Sequence, residues 1–216
     1  MMAERRIYLI RHGRIKLPDD EKRYIGQIDL PLSEEGVRQA ALLRARLDSE
    51  DISSIYCSDL TRTRQTSEII AAGRDIEIIE RPGLREINLG EWEGRTFAEI
   101  EQSFPEAFRA RGEDIKNYRI AGGESFAECN TRVIAAFGDI ISSSSGHIVI
   151  CGHAGVNRLI LCHVLGIPIR YLFGIKQDYG CINIIRHTDT TLQLISVCGG
   201  DFDNKSARNK GGSDLF

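Results

Sequence analysis

The sequence contains no long apolar run and no excess of either charge. Its 216 residues include 28 Lys and Arg against 31 Asp and Glu, a formal net charge of −3. Proteins that bind nucleic acid through a basic face carry clustered positive charge, so we expect no nucleic-acid partner. The apolar runs are too short for a membrane span or for the core of a signal peptide. We therefore expect a cytoplasmic protein with no membrane partner.

Cysteine motifs for metal binding are also missing. The sequence has six cysteines, and no two of them stand at the short spacing of zinc knuckles or redox motifs. We expect buried free thiols, because thiols stay reduced in the cytoplasm and cysteine packs as a small hydrophobe. A zinc site at His147 and His153 is the alternative, but no third ligand stands at metal spacing. The sequence therefore predicts no metal and no cofactor.

Short apolar runs alternate with helical patterns over most of the chain. This alternation is typical of an α/β protein in which helices cover a mostly parallel sheet. Segments 181–187 and 192–197 flank a turn and predict an antiparallel hairpin. We expect a three-layer αβα sandwich whose mostly parallel sheet ends in an antiparallel C-terminal strand. The other strands are predicted at residues 7–10, 54–57, 76–79 and 147–151.

Four helices are predicted between these strands. Ser33 is a suitable N-cap for the first, in which Val37, Ala40, Ala41 and Leu47 share one face. The patterns of apolar residues and end signals predict the other three helices. They lie at about 60–72, 126–141 and 153–166.

Two segments, 16–27 and 82–94, have no period and are predicted to be loops, which in such places carry function or are disordered. Residues 1–200 are predicted to form one domain. Residues 201–216 are polar and rich in glycine, and they predict a flexible tail.

Two histidines directly follow predicted strands. Arg11 and His12 come after the first strand, and His153 comes after the strand at 147–151. Ligand crevices open at the carboxyl ends of parallel strands, so the two histidines are predicted to face each other at one sheet edge. Arg62 reaches the same edge near a helix start, and both arginines and helix N-termini attract anions. The loop at 84–94 adds several carboxylates, among which spacing alone does not choose.

Four motifs stand in a characteristic order: IYLIRHG at 7–13, SDLTRTRQT at 58–66, LREINLGEWEG at 84–94 and GHAG at 152–155. Together they resemble the motifs of the histidine phosphatase family, also called the phosphoglycerate mutase-like superfamily. The resemblance covers the chain from about residue 5 to 200. It implies a phosphoglycerate mutase-like fold and an enzyme that transfers a phosphoryl group through a phosphohistidine.

The resemblance implies a role for each residue of the site. His12 is the nucleophile, and Arg11 and Arg62 hold the phosphoryl oxygens. His153 adds positive charge if it is protonated beside bound phosphate, and Glu86 protonates the leaving alkoxide before accepting a proton from water. Imidazole is nucleophilic only when neutral, and the two arginines disfavour the imidazolium. Because phosphoryl transfer depends mainly on positioning and electrostatics, the chemistry calls for no metal.

The sequence indicates the type of reaction more clearly than it indicates the substrate. The interval between Glu86 and His153 is 153 − 86 = 67 residues, whereas mutases of the family carry a longer insertion there, so hydrolysis is expected. Segments 24–33, 122–126 and 179–183 are similar to those of α-ribazole phosphatases, which act in cobalamin assembly. This similarity implies α-ribazole 5′-phosphate as the substrate and Gln27 at the pocket rim.

Several alternatives stay open. Ala154 is small enough for a ligand to approach the backbone, whereas residues 26–31, with Gln27 among them, equally fit a turn that Asp29 caps. Sugar phosphates, fructose 2,6-bisphosphate and phosphorylated protein side chains are alternative substrates, and phosphoglycerate mutase is an alternative activity. A non-catalytic protein that binds a phosphate ligand is the alternative of another class. The expected partner is a small phosphomonoester, and a homodimer is left open.

A cysteine phosphatase is the remaining enzymatic alternative. Such an enzyme needs an arginine six positions after its nucleophilic cysteine. Cys57 is followed at that distance by Thr63, and Cys151 by Asn157. The sequence therefore favours a strand role for both cysteines.

Overall fold

The computed structural model describes residues 4–19, 21–198 and 200–201, which build one mixed sheet between two layers of helices. The sheet order is β3-β2-β4-β1-β5-β6-β7, in which β1 to β4 pair in parallel and the later strands pair antiparallel. The predicted fold class is confirmed. The strands are β1 (Arg5–Arg11), β2 (Ile52–Cys57), β3 (Glu77–Glu80), β4 (His147–Gly152), β5 (Ile182–His187), β6 (Leu192–Val197) and β7 (Gly200–Asp201).

Helices cover both faces of this sheet. Within the described residues they are α1 (Glu34–Arg46), α2 (Thr61–Ala71), α3 (Phe97–Ser103), α4 (Pro105–Glu113), α5 (Phe126–Ser143) and α6 (Ala154–Leu165). The central strand β1 alternates between two cores: Ile7 and Leu9 pack with α5 and α6, whereas Tyr8 and Ile10 pack with α1 and α2. Successive residues of a strand point to opposite faces, and β1 is apolar on both because helices cover both.

Helix α1 buries part of the predicted face, since Ala40 and Leu47 are buried. Ser33 caps it as expected, since its side chain accepts a hydrogen bond from the Gly36 amide at 3.1 Å. The buried positions of the helix are Gly36, Ala40 and Leu43, whereas Val37 is 47% exposed and Ala41 is exposed. The apolar pattern missed Gly36, which packs closely against the backbone of Arg14. A Cβ there would lie 2.1 Å from the Arg14 carbonyl oxygen, so the position requires glycine.

The sequence patterns also missed α3 and α4. Neither helix has a long apolar stripe, because α3 buries only Ile100 and α4 buries no residue fully. A local signal was present in Thr96 and Glu99, which form a capping box at the start of α3. Pro105 then stands in the first turn of α4.

The C-terminal segment forms the predicted hairpin of β5 and β6. Gly200 and Asp201 add the short strand β7 beside β6, and the remainder of the predicted tail, residues 202–216, lies outside the described residues. No described helix is both long and apolar enough to span a membrane.

Candidate active site

Strand register brings the two predicted histidines together. β1 and β4 are parallel neighbours in which Arg11 lies opposite Gly152, so the residues that follow them, His12 and His153, emerge side by side. Their rings are 5.1 Å apart between centroids and meet edge to face. The His12 amide donates to the Gly152 carbonyl at 3.1 Å, which extends the strand pairing to the site itself.

The His12 ring is held as a neutral imidazole with one nitrogen free of backbone contacts. Its Nδ1 lies 2.7 Å from the Gly13 carbonyl oxygen. A carbonyl oxygen only accepts, so Nδ1 carries the proton and Nε2 keeps its lone pair. Burial, followed by the charges of Arg62 and Arg11, holds the pKa of His12 well below its ordinary value of 6.5. His12 therefore stays neutral near pH 7.

Arg62 is buried and connects three parts of the site. Its Nη1 and Nη2 each donate at 2.7 Å, to the carbonyls of Ile28 and Gly26 respectively. Its Nε donates to Nδ1 of His153 at 3.2 Å. The guanidinium is thus oriented by a loop on one side and by the second histidine on the other.

His153 is oriented by hydrogen bonds at both ring nitrogens. Because Nδ1 accepts from Arg62, the proton is on Nε2, which donates to Ser58 Oγ at 2.8 Å. Burial and the nearby arginines, Arg62 first, lower the pKa of His153 well below 6.5. His153 is fully buried and is not among the described residues that line the adjoining cavity. Without a bound phosphate, His153 is therefore neutral and contacts Arg62; its protonation beside bound phosphate stays a prediction.

Arg11 stacks on a tyrosine that the sequence did not predict. Its Cζ lies 3.7 Å from the centroid of the Tyr179 ring, and Nη1 donates to the Gln177 carbonyl at 2.7 Å. Its Nε is buried and has no hydrogen-bond partner among the described residues. Tyr179 shortly precedes β5, and because β5 runs antiparallel to β1, its start lies at the edge where β1 ends. That pairing is the signal that could have identified Tyr179.

Glu86 lies at the N-terminus of α6. Its carboxylate accepts from the amides of Gly155 at 3.0 Å, Val156 at 3.3 Å and Ile87 at 3.0 Å. The first amides of a helix lack intrahelical acceptors, and the helix dipole attracts negative charge there. A Cβ at Gly155 would lie 2.5 Å from Glu86 Oε1, so only glycine permits this contact.

Gln27 lies next to the cavity-lining residues Gly26 and Glu86. Its side-chain amide donates to the Glu86 carbonyl at 2.9 Å, and it is not among the described residues that line the cavity. The nearby Asp29 carboxylate accepts from the Thr61 amide and hydroxyl, each at 2.7 Å. Asp29 thus caps α2, the helix that carries Arg62, rather than the 26–31 turn, and a substrate contact of Gln27 stays a prediction.

A cavity of about 560 Å³ opens at this edge of the sheet. Arg11, His12, Arg62, Glu86 and Ala154 line it together. The remaining walls are largely apolar and aromatic. Among the described residues these walls include Ile15, Tyr24, Ile25, Ile87, Leu89, Phe97, Phe108, Ile115, Phe126 and Phe173, with further arginines at 23, 111, 158 and 170.

The two cysteines of the alternative mechanism are buried in strands. Burial raises the pKa of Cys57 to about 11, and burial also raises the pKa of Cys151. A thiolate is the nucleophilic form of cysteine, so neither side chain is prepared for catalysis. Within residues 4–19, 21–198 and 200–201, no group of three or more His, Cys, Asp or Glu side chains is arranged to hold a metal ion.

Comparison with known proteins identifies one family. Residues 7–198 match the family model described as "Histidine phosphatase superfamily (branch 1)". The chain is 29% identical over 197 residues to phosphoserine phosphatase 1 of Hydrogenobacter thermophilus, covering 89% of this chain and 93% of that protein. It is 35% identical over 166 residues to a probable phosphoglycerate mutase GpmB of Yersinia pestis, covering 75% of each. The crystal structure of a putative alpha-ribazole-5′-P phosphatase from Escherichia coli superposes with a TM-score of 0.83 at 26% identity, covering 90% of this chain and 96% of that one.

Proposed function

Because the chain belongs to the histidine phosphatase superfamily, as its match over residues 7–198 shows, we propose that it hydrolyses a small phosphomonoester through a phosphohistidine on His12. The observation that carries this proposal is the state of the His12 ring. Its Nδ1 donates to the Gly13 carbonyl, and its pKa is depressed. A neutral imidazole with a lone pair on Nε2 is a competent nucleophile.

The first step transfers the phosphoryl group to the enzyme. His12 Nε2 attacks phosphorus and the bond to the ester oxygen breaks. Glu86, a carboxylate in the free enzyme, takes up a proton when the phosphate dianion binds beside it, and it gives that proton to the ester oxygen. Arg11 and Arg62 stabilise the charge on the phosphoryl oxygens. The unpartnered Nε–H of Arg11 is one donor that we assign to a phosphoryl oxygen. His153 acts as a positioning residue, since it holds the guanidinium of Arg62.

The second step releases phosphate. Water attacks the phosphorus of the phosphohistidine, Glu86 takes a proton from that water, and the nitrogen to phosphorus bond breaks. His12 returns to its neutral state and Glu86 to its protonated state, so the cycle closes without a cofactor. The arginines supply positive charge at the phosphoryl group, and the proposed reaction requires no metal.

Hydrolysis is favoured over mutase activity by two observations. Two of the similar proteins, at 29% and 26% identity, are named as phosphatases. The interval between Glu86 and His153 is also compact at 67 residues: besides α5 and β4, the longer described elements that it holds are the short helices α3 and α4. The activity of the similar probable mutase is the alternative.

α-Ribazole 5′-phosphate, in cobalamin synthesis, is one substrate candidate. It is supported by the name of the similar Escherichia coli structure and by the aromatic walls of the cavity, which suit a flat apolar base. Phosphorylated small acids and sugars are the second candidate, supported by the name of the similar phosphoserine phosphatase. We expect the enzyme to act in the cytoplasm, where its free thiols stay reduced.

The test is hydrolysis of p-nitrophenyl phosphate by wild type and by His12→Ala, each with and without EDTA. His163→Ala, which changes an exposed histidine of α6, is the matched control. We expect EDTA-resistant turnover in wild type and control, and none in His12→Ala. Acid-labile, alkali-stable phosphoenzyme should form in wild type and in His163→Ala but not in His12→Ala. Turnover by His12→Ala would contradict the mechanism, and phosphate binding without turnover in wild type would indicate a non-catalytic binding protein.

Substrate choice is then measured with α-ribazole 5′-phosphate against a panel of sugar phosphates and phosphorylated acids. A kcat/KM for the ribazole ester well above the rest would identify that substrate. Comparable or higher values for the anionic esters would exclude it as the preferred one.

A further inference from the structure

The cavity wall contains an arginine, Arg111, that has no ion-pair partner in the part of the chain that the structure describes. Arg111 belongs to α4 and lines the same cavity as His12 and Glu86. Its Cζ lies 5.8 Å from the ring centroids of Tyr24, Trp92 and Phe126 alike. The guanidinium is thus enclosed by three aromatic rings at the cavity surface.

No carboxylate among the described residues neutralises Arg111, and no described group accepts a hydrogen bond from it. Arg23 differs, because it lines the same cavity but pairs with Asp19 at 2.5 Å. Burial of a guanidinium without a partner carries a desolvation cost, and burial lowers the pKa of Arg111. A ligand group of negative charge would offset this cost.

The net positive charge of the cavity lining also favours an anionic ligand. Its described lining includes six arginines and a single carboxylate, Glu86. Arg11 and Arg62 are assigned to the phosphoryl group, and Arg23 is paired within the protein. The positive charge that remains exceeds what one phosphoryl group requires.

The position of Arg111 relates it to the leaving group. Phe126 lies near the acid as well: one atom of its ring, Cε1, is 3.4 Å from where a Cβ of residue 155 would be, and the amide of Gly155 binds Glu86. Arg111 lies near the same ring. Arg111 and the Glu86–Gly155 pair therefore lie near the same aromatic ring, and in the proposed mechanism Glu86 is the group that contacts the leaving oxygen. The leaving group is thus the part of the substrate nearest to Arg111 in this arrangement.

We propose that Arg111 forms a subsite for a second oxyanion, carried by the leaving group of the substrate. A planar guanidinium binds a carboxylate or a phosphate through paired N–H donors. The substrate class is therefore a phosphomonoester of a small acid, or a bisphosphate, rather than an ester of a neutral alcohol such as α-ribazole. This inference rests on the proposed phosphatase function, and it adds the determinant of its specificity.

The experiment compares substrates that differ by one anionic group. The pairs are O-phospho-L-serine with O-phosphoethanolamine, 3-phosphoglycerate with glycerol 3-phosphate, and fructose 1,6-bisphosphate with fructose 6-phosphate. Arg111→Met removes the charge, Arg111→Lys keeps it without the planar fork, and Arg109→Met removes an exposed charge from the same helix. The first two pairs test a carboxylate, and the third tests a phosphate.

We expect wild type and Arg109→Met to prefer the more anionic member of at least one pair. Arg111→Met should lower kcat/KM for that member by about 10- to 100-fold, mostly through KM, because a charge-assisted contact is lost. It should leave the less charged member within about twofold. The kcat/KM of Arg111→Lys for the more anionic member should lie between the values of wild type and Arg111→Met.

Two results would overturn the proposal. The first is that wild type shows no preference in any pair. The second is that Arg111→Met lowers kcat/KM equally for both members of a pair, as expected if the arginine were purely structural. If wild type hydrolyses no ester, the phosphatase proposal fails, and calorimetric titration of His12→Ala with 3-phosphoglycerate and with glycerol 3-phosphate still tests the subsite. Tighter binding of 3-phosphoglycerate that is lost on adding Arg111→Met supports it, and equal binding overturns it.

Discussion

The Nε–H of Arg62 donates to Nδ1 of His153 at 3.2 Å, and this bond joins the start of α2 to the end of β4. The same guanidinium holds the backbone carbonyls of Gly26 and Ile28. Its orientation toward the cavity therefore depends on three acceptors from two distant segments. Only a rigid fork of several donors can reach all three.

Arg62→Lys should accordingly be far from conservative. A single ammonium cannot reach His153 and both carbonyls together, so we expect kcat/KM for p-nitrophenyl phosphate to fall by about 100-fold. Arg64→Lys is the control, since Arg64 lies on the outside of α2 and pairs with Glu80 at 3.0 Å. Near wild-type activity in Arg62→Lys would show that charge alone is sufficient at this position.

Gly155→Ala should impair acid catalysis selectively. The added methyl would lie 2.5 Å from Glu86 Oε1 and would displace the carboxylate from its amide partners. Poor leaving groups need protonation more than good ones do, so kcat should fall by about 10-fold or more for an alkyl phosphate and by less for p-nitrophenyl phosphate. Gly138→Ala, in open space on α5, should change neither value. Equal losses for the two esters would contradict the assigned role of Glu86.

Stability should decrease as the pH falls below about 6.5. The folded-state pKa values of His12 and His153 are both depressed below 6.5, so the unfolded chain binds protons that the folded chain does not. Their contribution is fully present above about pH 6.5 and is lost as the pH falls toward the folded-state pKa values, at up to about 1.4 kcal/mol per pH unit for each histidine.

Urea denaturation from pH 5 to 7.5 measures this dependence. The double variant His12→Asn with His153→Asn should show a shallower slope than wild type, because neither asparagine titrates. His163→Asn, which alters an exposed histidine, should keep the wild-type slope. If the free energy of unfolding changed with pH equally in wild type and in the double variant, the two histidines would be excluded as the source of the pH dependence.

Asp29→Ala should weaken the start of α2. Asp29 supplies the cap that Leu60, at the N-cap position, does not provide. Loss of such a cap costs about 1 kcal/mol, or about 2 to 4 °C in Tm for a chain of this size. Activity should also fall, because Arg62 follows Thr61 directly. Asp75→Ala, at an exposed position, is the control, and an unchanged Tm in Asp29→Ala would argue against the cap.

Cys151→Ser should retain most of the activity. The Cys151 thiol is fully buried in β4, and its pKa is raised by burial, so the thiol is not a nucleophile. We expect kcat for p-nitrophenyl phosphate within about twofold of wild type, with some loss of stability from the buried hydroxyl. Complete loss of activity with the fold preserved, as judged by circular dichroism, would restore the cysteine mechanism.

Much of the fold could be predicted because it depends on local periodicity. Apolar runs at 7–10 and 147–151 mark strands buried on both faces, and the C-terminal hairpin is marked by its turn. The placement of His12 and His153 follows from the same rule, since both stand directly after parallel neighbours. The helices at 97–113 could not be found in this way, because they bury few large apolar residues.

The sequence by itself determined where most strands lie, that the sheet is mostly parallel, and which residues stand at its carboxyl edge. These features depend on hydrophobic periodicity and on which residues follow each strand. Only the tertiary structure decided which nitrogen of each histidine carries a proton, that Gln27 binds the Glu86 backbone, and that Arg111 shares a cavity with His12. These features depend on hydrogen bonds and packing between segments far apart in the chain, such as the 69 residues between Glu86 and Gly155. No local pattern encodes such contacts, because each is set by how the packed elements meet.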